Sequence, residues 1–197
     1  MACYHEAMAG GDWIQTLRET LAVRRRGTIE REARAAVLVP IVDDGGPLRL
    51  ILTRRTQELP THQGQVAFPG GHAHAEDSDV VRTALREAEE EIGLPADRVE
   101  VIGLLDDLLT RDETVAVTPI VGRVTDLPVL RPRPEEVARV FTIPVAALAN
   151  PVLWRMDTMM KGPGAVQHRV FHHDGEVLWG LSARVVAHLL ELTSLPR

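Results

Sequence analysis

A glycine turn followed by an acidic helix is the sequence feature that most restricts what this chain can fold into. The turn is Pro69-Gly70-Gly71, and residues 86–94 read Arg-Glu-Ala-Glu-Glu-Glu-Ile-Gly-Leu. On a helix, Glu87, Glu90 and Glu91 fall at positions i, i+3 and i+4, so they share one face. The pattern therefore places three carboxylates on one helical face, close in sequence to a backbone turn.

The shared face of the three carboxylates has two interpretations. Hard cations such as Mg²⁺ take oxygen ligands and usually bind through a few carboxylates plus substrate phosphate, which favours a metal site. A solvated acidic surface is the other interpretation, because water and salt weaken the repulsion between exposed charges. Glycine lets the backbone approach a metal or a phosphate, but it also forms ordinary tight turns. The helix and the turn by themselves leave both interpretations open.

Length and charge restrict the class of protein further. The chain has 197 residues, of which 45% are hydrophobic and 25% charged, which is typical of one globular domain with a core. Its formal net charge of -6 argues against binding to nucleic acids or membrane surfaces, since both need a basic surplus. A phosphorylated small molecule remains a suitable partner, because a bound metal can reverse the local sign of charge.

Cysteine content and apolar runs bear on the cellular compartment. Cys3 is the only cysteine, so neither an internal disulfide nor an all-cysteine metal site can form. The first residues contain no basic stretch and no apolar run of the secretory type. The longest apolar run, Ala35 to Val42, is too short to cross a bilayer. We expect a cytoplasmic protein with no membrane partner, and the sequence leaves a homodimer open.

Hydrophobic periodicity predicts alternating helices and strands. Helices are predicted over Trp13 to Arg26, Asp79 to Ile92 and Gly180 to Leu192, with Ser78 or Asp79 as the cap of the second. Runs rich in β-branched residues predict strands at residues 35–43, 48–53, 65–68, 100–105, 115–124 and 137–143, with two more on either side of the Gly162-Pro163-Gly164 turn. This order predicts a mixed α/β layered domain with the second helix packed on a sheet.

The first predicted helix carries an apolar stripe and ends in a basic run. Trp13, Ile14, Leu17, Leu21 and Val23 form the stripe. The run at residues 24–26, three consecutive arginines before Gly27, is expected to be a solvated helix end, with contact to an anion as the alternative.

The segment from Gly71 to Leu94 resembles the Nudix box, a glycine and an acidic residue followed by Arg-Glu-aliphatic-x-Glu-Glu-x-Gly-aliphatic. Residues 86–94 match every fixed position of the second half. Asp77 stands where the box usually has glutamate, and it lies one residue further from Arg86 than in the common pattern. This departure affects the expected pairing of Arg86 with Asp77, which would orient the start of the helix. It leaves the face formed by the three glutamates unchanged.

A second segment, Leu52 to Gly71, resembles the element that marks the coenzyme A pyrophosphatase branch of the Nudix family. That element runs Leu-Thr-x-Arg-Ser, then Leu, His, Gly and Phe-Pro-Gly-Gly. Thr56 replaces the serine here, and Pro60 stands where a basic residue is frequent. Residues 117–122, 136–144 and 179–183 also resemble the branch, so the likeness covers most of the chain from residue 35 to residue 190.

The resemblance implies a fold and an activity. The fold would be a Nudix-type α/β/α sandwich with a mixed sheet and a catalytic loop-helix-loop. Residues 1–197 would form one Nudix domain, with a helical extension at residues 1–32 and the core at residues 33–193. The activity would be metal-dependent hydrolysis of the diphosphate bond of coenzyme A, or of its acyl or disulfide forms, to 3',5'-ADP and 4'-phosphopantetheine. Alternatives are a Nudix hydrolase of NADH, ADP-ribose or a related nucleoside diphosphate derivative, and a Nudix module that senses a nucleotide without cleaving it.

The resemblance also implies roles for the acidic residues. Glu87, Glu90 and Glu91, helped by the Gly70 carbonyl, would hold Mg²⁺ or Mn²⁺ on the diphosphate. The catalytic base would be a helix glutamate, Glu87 or Glu90, or else Glu136, since Nudix bases can come from outside the box. Glu136 can also be explained as a solvated charge at the start of a strand.

Basic residues of the second segment are candidates for substrate binding. Arg54, Arg55 and His62 could contact the 3'-phosphate or the diphosphate, with arginine preferred for forked contacts. They can equally be explained as charges at a strand edge and a histidine in a turn.

Overall fold

The computed structural model describes residues 10–161 and 164–194 of the chain. The helices are α1 (Gly10–Val23), α2 (Val80–Ile92), α3 (Val145–Leu148) and α4 (Gly180–Ser194). The strands are β1 (Ala33–Val42), β2 (Arg49–Arg55), β3 (Val66–Ala67), β4 (Gly70–His72), β5 (Glu100–Leu104), β6 (Leu108–Leu109), β7 (Val115–Val124), β8 (Val137–Pro144), β9 (Trp154–Lys161), β10 (Gly164–His173) and β11 (Glu176–Leu178). Within these ranges, no helix combines the length and the apolar character that crossing a membrane requires.

An eight-stranded mixed sheet forms the centre of the described structure. Its main path runs β3-β2-β1-β7-β5, while β8 pairs with β2, β4 with β1, and β6 with β7. The two long strands β1 and β7 are parallel from Ala33 opposite Val115 to Val42 opposite Val124. Both strands are nearly continuous apolar runs, as expected for strands covered on both faces. The predicted mixed α/β class is confirmed.

Side chains alternate between the two faces of this sheet, and each face has its own cover. Ala36 and Leu38 of β1 belong to a buried cluster with Ala84, Ala88 and Ile92 of α2. The opposite cluster contains Val39 and Ile41 of β1 together with side chains of α1, α4 and the second sheet; among these are Leu17, Phe171, Leu178, Val185 and Leu189. The sheet is therefore sandwiched between α2 on one side and α1 with α4 on the other.

Local sequence explains where α2 begins and ends. The carboxylate of Asp79, rather than the hydroxyl of Ser78, caps the helix by accepting a hydrogen bond of 2.8 Å from the Arg82 amide. Gly93 ends the helix at φ 66°, a left-handed conformation that glycine adopts without strain. The predicted helix is confirmed at both ends.

The first helix differs from the prediction at both ends, and the difference at its carboxyl end has a physical cause. It runs from Gly10 to Val23 rather than from Trp13 to Arg26, and Val23 is 86% exposed instead of joining the apolar stripe. The physical reason is that Arg24 and Arg26 bind partners elsewhere in the fold, whereas Arg25 is exposed. Arg24 donates to the Asp106 carboxylate at 2.8 Å, so the run as a whole is not a solvated helix end.

Asp107 is a second acceptor for the segment that follows α1, and its side chain is fully buried. Its carboxylate accepts hydrogen bonds from the side chains of Arg26, Arg34 and Thr118, and from the Ile29 amide, at 2.6–3.3 Å. A buried carboxylate is tolerated when it is paired and fully hydrogen bonded, and Asp107 meets both conditions. It therefore fixes the connection between α1 and β1 to the sheet.

The second, three-stranded sheet lies on the α1 and α4 side, in the order β11-β10-β9. The strands predicted around the Gly162-Pro163-Gly164 turn form as β9 and β10, although residues 162 and 163 of that turn lie outside the described residues. Strand β11 was not predicted. The Gly70-Gly71 segment, predicted as a turn, is instead the short strand β4, because its backbone pairs with β1 from Val37 to Ala35.

Replacing Asp107 should destabilise the protein. Asp107→Asn keeps the size of the side chain but leaves the Arg26 and Arg34 guanidinium groups without their buried counter-charge. We expect a loss of about 3 kcal/mol in the free energy of unfolding, measured by urea denaturation. Asp126→Asn is the matched control, because the Asp126 side chain is 80% exposed in its pair with Arg98. The control should change stability by no more than about 0.5 kcal/mol. Equal effects of the two substitutions would contradict the role of Asp107.

Candidate active site

The Gly70-Gly71 strand packs directly against the glutamate face of α2. The Gly70 amide donates a hydrogen bond of 3.1 Å to the Glu91 carboxylate. A Cβ atom on Gly71 would lie 2.6 Å from the carboxyl carbon of Glu87, and one on Gly70 would lie 2.4 Å from the Ala36 carbonyl oxygen. A side chain at position 70 would collide with the β1 backbone, and one at position 71 would displace the Glu87 carboxylate, so the two glycines permit this close approach.

The three box glutamates share a side of α2 but differ in burial. The Glu91 side chain is 5% exposed, that of Glu87 13%, and that of Glu90 48%. Glu89 is exposed, as its position on the helix predicts. Within the described residues, no three acidic, histidine or cysteine side chains are arranged as a ready-made ion site. The exposure of the carboxylates on this face therefore increases from Glu91, which is buried, to Glu90, which is solvated.

Arg86 holds two of these glutamates. Its Nη1 donates to Glu87 at 2.9 Å and to Glu90 at 3.2 Å. Its Nε and Nη2 donate to the Asp77 carboxylate at 3.1 and 3.0 Å, and Nη2 also reaches the His72 carbonyl. The predicted brace between Arg86 and Asp77 is confirmed, and the extra residue between them does not prevent it.

Asp77 receives further donors besides Arg86. The His74 amide and the Thr83 hydroxyl donate to it at 3.0 and 2.9 Å. The Arg86 guanidinium, with these donors, holds the pKa of Asp77 well below its usual range, and Asp77 raises the pKa of Arg86 in turn. Both groups stay ionised, so the loop before α2 is tied to the helix by a permanent charge pair.

Burial acts in the opposite direction on the glutamates that face the sheet. Burial raises the pKa of Glu91 to about 7, against the opposing effects of the Gly70 amide and Arg55. Burial also raises the pKa of Glu87, while Arg86 opposes the shift. The negative charge of Glu136 adds to both increases. The site thus holds more negative charge than its own donors stabilise, and a cation would relieve it.

Glu136 is brought to this face by the segment before β8. The Arg131 amide donates to the Ile92 carbonyl at 2.8 Å, and the Arg133 amide donates to the Glu91 carbonyl at 2.9 Å. Arg133 also pairs with Glu136 through its side chain, at 3.1 Å. These bonds cap the last carbonyls of α2 and fix the start of β8 beside the helix.

Arg54 and Arg55 lie on opposite faces of β2, because successive side chains in a strand alternate. Arg55 faces α2, with its Nη1 3.9 Å from the Glu91 carboxylate. Its Nε is buried and has no hydrogen-bond partner in the described part of the chain. Arg54 faces the other layer and donates to the buried Glu176 at 2.7 Å. Arg139, directly opposite Arg54 on β8, shares the same carboxylate at 3.2 Å.

His62 lies in the exposed loop between β2 and β3. Its backbone has a φ of 57°, and its Nδ1 is 3.0 Å from the side-chain oxygen of Gln65. Among the described residues, no hydrogen bond joins His62 to the box glutamates. The structure therefore brings Arg55, Glu136 and the box glutamates together, and leaves Arg54 and His62 apart from them.

Sequence reasoning missed the residues that support the site from a distance. Glu176 gives no local signal, because it pairs with an arginine 122 residues earlier. Arg131 and Arg133 bind the last carbonyls of α2 through their backbone amides. A pattern of side chains in the sequence does not reveal such bonds. The i, i+3 spacing of Arg133 and Glu136 is the one signal that could have indicated their pairing.

The fold and the acidic loop-helix-loop define a class of hydrolase, and comparison with known proteins agrees. The NUDIX domain matches residues 32–161. The protein of Yersinia enterocolitica named "Uncharacterized Nudix hydrolase NudL" is 44% identical over 160 residues, which cover 80% of each chain. Its namesake from Yersinia pestis is 42% identical over 165 residues, covering 82% of this chain and 80% of the other. The chain therefore belongs to the Nudix hydrolase family.

Solved structures support the fold at lower identity. A Nudix hydrolase from M. smegmatis, RenU, has a TM-score of 0.56 at 19% identity and covers 86% of this chain and 92% of its own. A MutT/nudix family protein from Enterococcus faecalis has a TM-score of 0.55 at 12% identity, covering 94% and 74%. The predicted Nudix fold is confirmed. Nudix hydrolases act on nucleotide-type small molecules and generally use divalent metal ions.

The raised pKa of Glu91 predicts a pH dependence of stability in EDTA. Its folded-state pKa of about 7 lies above its ordinary value of 4.5, so the folded protein holds the extra proton between these values. The free energy of unfolding should therefore fall as pH rises through this window, by up to about 3 kcal/mol. Glu91→Gln should remove this fall, as measured by thermal unfolding at a series of pH values.

The matched control for this measurement is Glu89→Gln, because Glu89 is the exposed glutamate of the same helix. It should keep the pH dependence of the wild type. Parallel curves for the wild type and Glu91→Gln would show that burial does not raise the pKa of Glu91.

Proposed function

We propose that this protein hydrolyses the diphosphate bond of coenzyme A, or of its acyl or disulfide forms, giving 3',5'-ADP and a 4'-phosphopantetheine moiety. The observation that carries the proposal is the position of the segment from Leu52 to Gly71, which resembles the element of the coenzyme A pyrophosphatase branch. This segment runs from β2 to β4 and supplies both Arg55 and the glycines that contact the box glutamates. The element that suggests the substrate thus adjoins the groups that would cleave it.

The donor set suits a divalent cation, and we propose Mg²⁺ or Mn²⁺. Glu87, Glu90 and Glu91 offer carboxylate oxygens and Gly70 a backbone carbonyl, the ligand types that hard cations take. Because Gly71 has no side chain, the Glu87 carboxylate lies against the β4 backbone, next to Gly70. When bound, such a cation would neutralise charge on the diphosphate and lower the pKa of a water molecule.

The chain itself would supply position and charge. Phosphoryl transfer asks a protein mainly to position the reacting groups and to stabilise developing charge. Arg86 orients Glu87 and Glu90, and Asp77 fixes Arg86 from the loop. Glu90 is the most exposed of the three glutamates, so it can rearrange toward a ligand at the least cost in lost contacts.

Glu136 is our candidate for the general base, with Glu87 and Glu90 as the alternatives within the helix. Glu136 stands across from the helix face, and Arg133 Nη1 lies 3.1 Å from its Oε1. In the described residues its Oε2 accepts no hydrogen bond, so that oxygen is available to take a proton from the attacking water. A base must lie within hydrogen-bond reach of that proton, and the start of β8 is tied to α2.

Arg55 is the residue best placed to contact a substrate phosphate. Its guanidinium faces the glutamates, and its buried Nε lacks a partner in the described part of the chain. A phosphate oxygen would satisfy that donor, and arginine forms forked bonds with phosphate. Arg54 would reach the substrate only by releasing Glu176, and His62 only through a change in its loop, so we assign them secondary roles.

The proposal includes an organisation and a setting for the chain. Residues 1–197 would act as one Nudix domain, with residues 1–32 as an extension and residues 33–193 as its core. The substrate would be a small molecule rather than a nucleic acid, consistent with the net charge of -6. We place the activity in the cytoplasm.

Mass spectrometry of the products tests the proposed substrate. Coenzyme A should yield 3',5'-ADP and 4'-phosphopantetheine with Mg²⁺ or Mn²⁺, and neither product in excess EDTA. In parallel assays, kcat/KM for coenzyme A should exceed that for NADH and for ADP-ribose by about 10-fold or more, since a site built for polar groups discriminates strongly. Faster turnover of NADH or ADP-ribose would indicate another Nudix activity. Binding without turnover of any of the three would indicate a sensing module.

Substitution of the glutamates tests the proposed ligands. Glu90→Gln and Glu91→Gln should each lower kcat by about 10²-fold or more, the typical loss of one electrostatic stabiliser. Glu89→Gln is the control and should stay within about twofold of the wild type, because surface substitutions away from a site have small effects. Circular dichroism should show all three variants folded. Near-normal turnover by both test variants would remove them as metal ligands.

A further inference from the structure

Strand β9 has an edge that no other described strand covers. It is the outer strand of the three-stranded sheet, and only β10 pairs with it. The four residues from Arg155 to Thr158 are all exposed, and Met156 is 57% exposed. An uncovered edge presents unpaired backbone N–H and C=O groups, which can hydrogen bond to a strand of another chain.

This edge is long and regular. It spans eight residues, and its pairing with β10 runs without a register shift from Trp154 to Lys161. Natural proteins usually blunt such edges with short strands, bulges, proline or charges. Of these devices β9 has only charges, and two of them, Arg155 and Asp157, are opposite in sign and flank Met156.

The order Arg155-Met156-Asp157 is complementary to itself in an antiparallel pair. Arg155 and Asp157 point to one face of the strand and Met156 to the other. A two-fold axis through Met156 would set Arg155 of each copy opposite Asp157 of the other, and the two Met156 side chains against each other. Opposite charges that face each other across strands stabilise a pair, and a symmetric dimer uses the same patch twice.

Both charges are available for such contacts. Arg155 forms no ion pair with any described residue. Asp157 approaches the His172 imidazole at 3.9 Å, forms no other ion pair with a described residue, and has half of its side chain exposed.

We propose that β9 pairs with β9 of a second copy of this chain, antiparallel and centred on Met156, and that this edge is the dimer interface. A strand from an unrelated protein could form the same backbone hydrogen bonds. It would not match the order of charges on β9, which is complementary to itself. The interface lies on the α1 and α4 side of the central sheet, whereas the glutamates lie on the α2 side. Dimerisation and hydrolysis are therefore separable by experiment.

A charge-reversal series tests the interface by sedimentation equilibrium at low ionic strength. Arg155→Asp and Asp157→Arg would each place like charges opposite one another twice. Each should raise the dimer dissociation constant by about 10-fold or more, because like charges across an interface are costly. The double reversal, Arg155→Asp with Asp157→Arg, should return the constant to within about threefold of the wild type. Asp126→Arg is the control, an 80% exposed position just beyond β7 of the central sheet, and should leave the constant unchanged.

Cross-linking provides a second measurement that does not depend on charge. In a Cys3→Ser background, Met156→Cys should form a disulfide between two copies when oxidised with diamide, because opposed residues in a strand pair lie within disulfide range. Thr158→Cys is the matched control. It would face Trp154 of the other copy rather than itself, so it should cross-link far less.

Four results would each overturn the proposal. The wild-type protein could stay monomeric at high micromolar concentration, or the dimer could survive both single reversals. The single variants could be folded and yet not be rescued by the double reversal. The two cysteine positions could cross-link equally. The rate of hydrolysis by every variant should stay within about twofold of the wild-type rate. A failure of the proposed dimer interface would therefore leave the proposed function intact.

Discussion

The packing of α2 on the Gly70-Gly71 strand is the contact on which the rest of the site depends. Two residues without side chains bring a backbone amide to Glu91 and leave the Glu87 carboxylate against bare backbone. The other side of the helix is held in the core by Ala88 and Ile92, which are fully buried. The helix is therefore fixed from both sides, and packing holds the carboxylates together against their mutual repulsion.

This placement has an electrostatic cost that the surrounding residues offset only in part. Burial makes ionisation of Glu87 and Glu91 less favourable, and Glu136 adds a further negative charge. Arg86 and Arg55 return some positive charge, but Arg86 is largely committed to Asp77. A site left in this condition is poised to gain free energy from a cation, which agrees with the chemistry common to Nudix hydrolases.

Local periodicity in the sequence was enough to predict the layered fold, and the glutamate face with it. The cap at Asp79, the stop at Gly93 and the inward stripe of α2 all depend on residues within a few positions of each other, so they could be read directly. The partners of Arg24 could not, because Asp106 is 82 residues away and only the folded sheet brings the two together. The unequal burial of the glutamates depends on the β1–β4 pairing in the same way. The separation of Arg54 from Arg55 could have been deduced, since both were assigned next to a predicted strand.

That separation limits how the length of this region can vary among relatives. Moving β2 by a single residue would exchange the two guanidinium groups between layers, removing the counter-ion of Glu176 and the cation beside Glu91 together. Insertions and deletions should therefore spare β2 and fall in the loop that follows it, whose residues 57–63 are mostly exposed. The same register thus serves both faces of the central sheet, so β2 is the part of this region whose length is fixed.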